Sequence, residues 1–116
     1  MLFLLIAGHA LGDYPLQPEA MATCKCRKAH LPLQNEVPWY YWMTAHALVH
    51  GLITAFIVAF WMGNKELAVT VGLLEFGIHW IIDALKCEGF YGIHVDQALH
   101  VLCKVAWWLM IVRGIL

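Results

Sequence analysis

A chain of 116 residues with 62% apolar and 13% charged residues, and a mean hydropathy of +0.69, is long enough for one compact unit but short of the polar surface that a water-exposed globule needs. Seven Lys and Arg against eight Asp and Glu give a formal charge of −1, which offers no basic excess for a phosphate backbone and excludes nucleic acid as a partner. The composition predicts an all-α fold, a polytopic helical bundle whose first partner is the lipid bilayer.

Four apolar segments predict four transmembrane helices in a single domain, 1–116, with limits near 1–13, 43–62, 67–85 and 97–112. The first is short. Its polar His9 and the lack of a basic leader region favour a helix over a cleaved signal peptide, and Pro15 ends it at Tyr14. A surface loop, 14–42, follows, with Pro15, Pro18, Pro32 and Pro38, the cluster Cys24-Lys25-Cys26-Arg27-Lys28, and a final Trp39-Tyr40-Tyr41-Trp42 that has the character of an interfacial aromatic belt. The second segment ends at Gly63-Asn64, a turn that allows only an antiparallel hairpin with the third.

If all four segments span, the 14–42 loop and the 86–96 connection share a side. Together they carry Lys25, Arg27, Lys28 and Lys86, against Lys65 and Arg113 opposite, which predicts that this side faces the cytoplasm from the cell inner membrane. The four cysteines lack the spacing of a disulfide scaffold and are expected to be mostly reduced thiols, with Cys24-Lys25-Cys26 in a solvated loop.

Residues four apart project from one face of a helix, and ligand-type pairs at that spacing occur once in each segment. They are His9 with Asp13, His46 with His50, His79 with Asp83, and Asp96 with His100. Every aspartate in the chain and five of the seven histidines fall into these pairs; His30 and His94 are left to loop positions on the surface. In an up-down-up-down bundle the four pairs lie at the same end, the one with the Lys/Arg majority. Imidazole and carboxylate together suit a divalent metal, Zn²⁺ first and Fe or Mn as alternatives, bound as one or two ions.

Glu75 and Lys104 each lie eight residues, or ~12 Å, deeper than Asp83 and Asp96 respectively, so an ion pair between them is expected. Gly8 and Gly12 flank His9 in a G-x-x-x-G step that favours close helix packing.

With these residues in place, the chain resembles a family of bacterial and phage membrane proteins catalogued as domain of unknown function 3307. The resemblance covers nearly the full length and rests on His9-Ala-Leu-Gly-Asp13-Tyr-Pro-Leu-Gln17 followed by Lys25, on His46-Ala-Leu-Val-His50, on His79-Trp-Ile-Ile-Asp83-Ala-Leu-Lys86, and on Asp96-Gln97-Ala-Leu-His100. It implies that Gln17, Lys25, Lys86 and Gln97 join the site, and it supplies no reaction. By analogy with membrane-bound metal-dependent hydrolases, the expected function is hydrolysis of a phosphoryl or acyl substrate near the cytoplasmic headgroups.

In that scheme the metal ligands come from His9, Asp13, His46, His50, His79, Asp83, Asp96 and His100. Asp13 or Asp96 serves as general base, Lys25 and Lys86 neutralise an anionic small-molecule or lipid substrate, and Gln17 and Gln97 orient ligands or substrate. The competing expectations are a metal or proton conduit or sensor, and a metal-clipped interaction protein; a homo-oligomer fits any of the three.

Overall fold

A computed structural model describes residues 1–116 as six α-helices without a strand. Four carry the bundle: α1 (Leu2–Asp13), α4 (Trp39–Met62), α5 (Lys65–Glu88) and α6 (Ile93–Val112). Two short helices, α2 (Glu19–Cys24) and α3 (Leu33–Glu36), and a 3₁₀ turn at Arg27–Ala29 lie in the α1–α4 connection. Helix α1 packs on α4 and α6, and α5 packs on the same two, so the four close into a ring. The long axis measures 46 Å, close to a bilayer with its headgroup regions. Helices α4, α5 and α6 are long and apolar enough to cross a membrane; α1, at 12 residues, is shorter.

Each long helix extends beyond the limits expected from its apolar run. Helix α4 starts at Trp39 because Pro38, extended at ψ 145°, sets the boundary, so the aromatic quartet forms the opening of the helix. Asn64 caps α5 by accepting a bond from Leu67 N–H (3.0 Å), and Gly89 closes it at φ 90°, a left-handed position that suits glycine. Helix α6 begins at Ile93, which places His94 in its first turn, exposed, while His30 is exposed in the loop as expected.

The interior is polar and the exterior is apolar. Eleven of the 25 buried residues are polar or charged, whereas Leu52, Phe56, Phe60 and Leu73 are each more than 60% exposed, the surface expected of helices solvated by acyl chains. Close backbone approach holds α4 to α5: a Cβ at Gly72 would lie 2.7 Å from Ala55 Cβ and 2.8 Å from the Gly51 carbonyl. At the far end of the bundle from the α1–α4 connection, Val58, Ala68, Val71, Trp107 and Ile111 form an apolar cluster.

The α1–α4 connection corrects the reduced-thiol reading. Cys26 is bonded to Cys87 near the end of α5, while Cys24 and Cys103 are free thiols. Spacing along the chain gave no hint of the pairing, because its two halves are 61 residues apart and meet only when the loop folds back over α5. Gln34 locks the loop by donating to the Cys24 (2.9 Å) and Cys26 (2.8 Å) carbonyls, and Arg27 and Lys28 reach Glu88 beside the disulfide.

Candidate metal centre

The i, i+4 pairs meet at one level of the bundle. His9, His46, His50, His79, Asp83, Asp96 and His100 are all buried, and the Asp13 side chain is about 10% exposed. Their ligand atoms form three overlapping groups, each within 4.8 Å: Asp13, His46, His50 and His79; His9, His79 and His100; and Asp83, Asp96 and His100. Every sequence-predicted metal residue belongs to at least one group. These buried groups could hold a metal ion.

Asp13, the last residue of α1, faces α4 with one oxygen and α6 with the other. Its Oδ1 lies 3.3 Å from His46 Nε2 and 3.1 Å from His50 Nε2, while its Oδ2 lies 3.4 Å from His9 Nε2 and accepts from Gln97 Nε2 at 2.6 Å. His46 Nε2 and His79 Nε2 are 3.2 Å apart. Ligand atoms ~2.0–2.1 Å from a tetrahedral ion sit ~3.3–3.4 Å from one another, so the Asp13–His46, Asp13–His50 and His46–His79 separations are close to three edges of such a shell. His50 Nε2 is near Asp13 Oδ1 but not aligned to donate to it, and it has no other partner; the Nδ1 atoms of His9, His46, His79 and His100 are also without a hydrogen bond. Buried imidazole nitrogens are rarely left this way, and cation coordination would satisfy His50 Nε2.

Asp83 stands at the centre of the assembly. Its Oδ1 is 3.1 Å from His100 Nε2, and its Oδ2 is 3.3 Å from His46 Nε2 and 3.8 Å from His79 Nε2. Lys25, buried at the end of α2, also donates to Oδ2. Gln17, with its amide turned to suit both neighbours, donates to the Asp13 carbonyl (2.8 Å) and accepts from Lys25 Nζ (2.8 Å). Asp96 Oδ2 accepts from Lys86 and from Gln97 Nε2, each at 3.3 Å, while Oδ1 lacks a hydrogen bond and lies 3.6 Å from His100 Nε2. The structure therefore brings Gln17, Lys25, Lys86 and Gln97 to the cluster, with both lysines turned inward onto aspartates.

One turn deeper, Lys104 pairs with Glu75 as expected, and Trp107 Nε1 donates to Glu75 Oε2 at 2.7 Å. Glu75 Oε1 lies 3.5 Å from His79 Nδ1, which joins this buried pair to the metal group.

Three features escaped the sequence reading. Gly12 is shaped around the site, since a Cβ there would lie 2.5 Å from His50 Cε1. The i, i+4 spacing to Gly8 carried a hint of close packing but not of its partner. Tyr91 donates to the Ile82 carbonyl at 2.6 Å, and burial followed by the nearby Asp96 and Asp83 carboxylates pushes its phenol pKa up. Trp107, within a long apolar run, gave no sign that its indole serves Glu75.

This layer is partly exposed at Asp13, Gln17, Gln97 and the Lys86 side chain, the last of which is 28% exposed. The largest groove of the molecule, about 590 Å³ between α1 and α4, is lined by Leu4, Leu11, Leu52 and Phe56 on the outer face and lies outside the cluster.

No curated protein and no solved structure matches the chain. The family described as "Protein of unknown function (DUF3307)" matches residues 1–115, a span that includes every residue of this centre. The chain belongs to the DUF3307 family.

Proposed function

We propose that the chain is a four-span membrane protein with a metal-dependent hydrolytic centre near the headgroup level of one leaflet, acting on a phosphoryl or acyl substrate. The observation that carries this reading is the set of Nε2 atoms of His46, His50 and His79 gathered with Asp13, the one metal-group carboxylate at an opening and without a lysine partner. A divalent ion held by the three imidazoles, Zn²⁺ being the best match to this donor set, would acidify a bound water and polarise the substrate. Asp13, left outside the shell of those three imidazoles, would accept the proton of that water, and Gln97, donating to Asp13 Oδ2, fixes the carboxylate in place. Asp96 is the weaker candidate for the base because Lys86 and Gln97 occupy its Oδ2.

The conduit alternative is less well supported, since the apolar cluster around Val58 and Trp107 fills the far half of the bundle and favours access from one end. The metal-clip alternative gains from the closure of the site and from the four protein ligands available to one ion, a trait of structural centres.

On orientation, a Lys/Arg majority of four to two favours the cytoplasm, whereas the disulfide at the same end favours an oxidising compartment. We take the covalent bond as the stronger indicator and place the site end outside the cytoplasm.

The deciding experiment measures metal per chain in detergent, together with chelator-sensitive hydrolysis of phosphoryl and acyl lipids in mixed micelles. The unmodified protein should carry about one equivalent, His50→Ala close to none, and Asp13→Asn should keep the metal while losing hydrolysis. Metal without any such hydrolysis leaves the clip; no metal after metal-replete handling defeats the centre altogether. Alkylation before lysis should find Cys26 and Cys87 oxidised, and two free thiols at these positions would return the site end to the cytoplasm.

A further inference from the structure

The buried layer has an unequal charge inventory. Four carboxylates, Asp13, Asp83, Asp96 and Glu75, share it with three ammonium groups, Lys25 on Asp83, Lys86 on Asp96 and Lys104 on Glu75. With neutral imidazoles this leaves a deficit of one positive charge, and it falls on Asp13. One divalent ion beside Asp13 reverses the imbalance by a single unit, whereas two would leave a large uncompensated positive charge in a low-dielectric interior.

The ligand atoms of Asp83, Asp96 and His100 lie within the same 4.8 Å limit as those of the first group, Asp13, His46, His50 and His79. Asp83 presents one oxygen to His100 and the other to His46 and His79, the posture of a carboxylate that bridges two cations. Asp96 Oδ1 is buried without a hydrogen bond, 3.6 Å from His100 Nε2. What separates the two groups is the occupant of Asp83 Oδ2, the Lys25 ammonium.

Its hold on Asp83 is reinforced from three directions. Gln17 accepts from Lys25 Nζ, Gln34 ties down the carbonyls on either side of it at Cys24 and Cys26, and Cys26, the next residue, is bonded to Cys87, one turn beyond Asp83. The ion pair and the disulfide thus run as adjacent rungs between the same stretch of loop and the same face of α5.

We propose that Lys25 is a tethered cation standing in for a second metal ion, and that Asp83, Asp96 and His100 form a latent divalent-cation site which its charge keeps closed. This rests on the metal reading of the first group. Lys25 is accordingly a positioning residue: its ammonium sets the number of ions and leaves substrate binding to other groups.

The test replaces the charge and counts ions. Lys25→Gln keeps a hydrogen-bond donor for Asp83 and should raise bound Mn²⁺ from about one to about two per chain, with the exchange-coupled spin-resonance signal of a close pair. Lys25→Arg should stay near one, and Lys25→Gln combined with Asp83→Asn should return to one. If Lys25→Gln is poorly folded, millimolar Mn²⁺ should restore its thermal transition far more than it shifts that of Lys25→Arg. One ion in both the unmodified protein and Lys25→Gln overturns the proposal while leaving the metal centre intact, and so does a Lys25→Gln protein that stays unfolded with Mn²⁺ present. No ion in the unmodified protein overturns both.

Discussion

The two halves of the bundle bury their interiors by different physics. Around Val58, Ala68, Val71 and Ile111, contact is made between apolar side chains, and in a lipid environment such contacts gain packing but little from leaving water. Around Asp13, Asp83 and the imidazoles, contact is made between charges and hydrogen-bonding groups, where each partner is costly to bury unless the others are present. The first kind of interior tolerates local change, and the second couples every residue to its neighbours. Glu75 and Lys104 sit where the two meet, with Trp107 reaching from the apolar side to Glu75 and His79 from the polar side.

The boundary pair should show the largest effect. Lys104→Met leaves Glu75 buried without its counter-ion and should cost about 3–5 kcal/mol in detergent unfolding. Adding Glu75→Leu should recover most of that loss, short of the Trp107 indole that then lacks an acceptor. Equal stability of the unmodified protein and the Lys104→Met variant would erase the distinction between the halves.

Within the polar half, Gly12→Ala should shift the His50 ring and weaken metal binding roughly tenfold, measured by competition with a chelator, while helix content by circular dichroism is unchanged. In the apolar half, Val58→Ala should cost about 1 kcal/mol and leave metal content as it was. A change in metal content there would mean that the far half also tunes the site.

The helices and the gathering of histidines and aspartates were legible because both follow from periodicity: apolar length gives the long helices, and four-residue spacing puts His9 with Asp13 and His79 with Asp83 on shared faces. The Glu75–Lys104 pair followed from depth alone. What the sequence withheld depends on the connection between α1 and α4, whose path is set by tertiary contact. Lys25 had the look of a solvated cation able to meet a substrate, yet the fold buries it against Asp83. Cys26 and Cys87 resembled unrelated thiols because the loop that joins them has no periodic pattern from which its return could be read. The helix starts at Trp39 and Ile93 were misjudged for a simpler reason, that aromatic and polar residues can open a helix as well as precede it.

Asp13 is the one carboxylate of the layer with no ammonium beside it, and its position has a consequence for the life of the protein. On the proposed metal reading, an ion bound there would compensate that charge, and occupancy and folding would be thermodynamically linked. Chains made during scarcity of the ion would be the loosest in the membrane and the first degraded by resident proteases, so that abundance follows supply without any change in transcription.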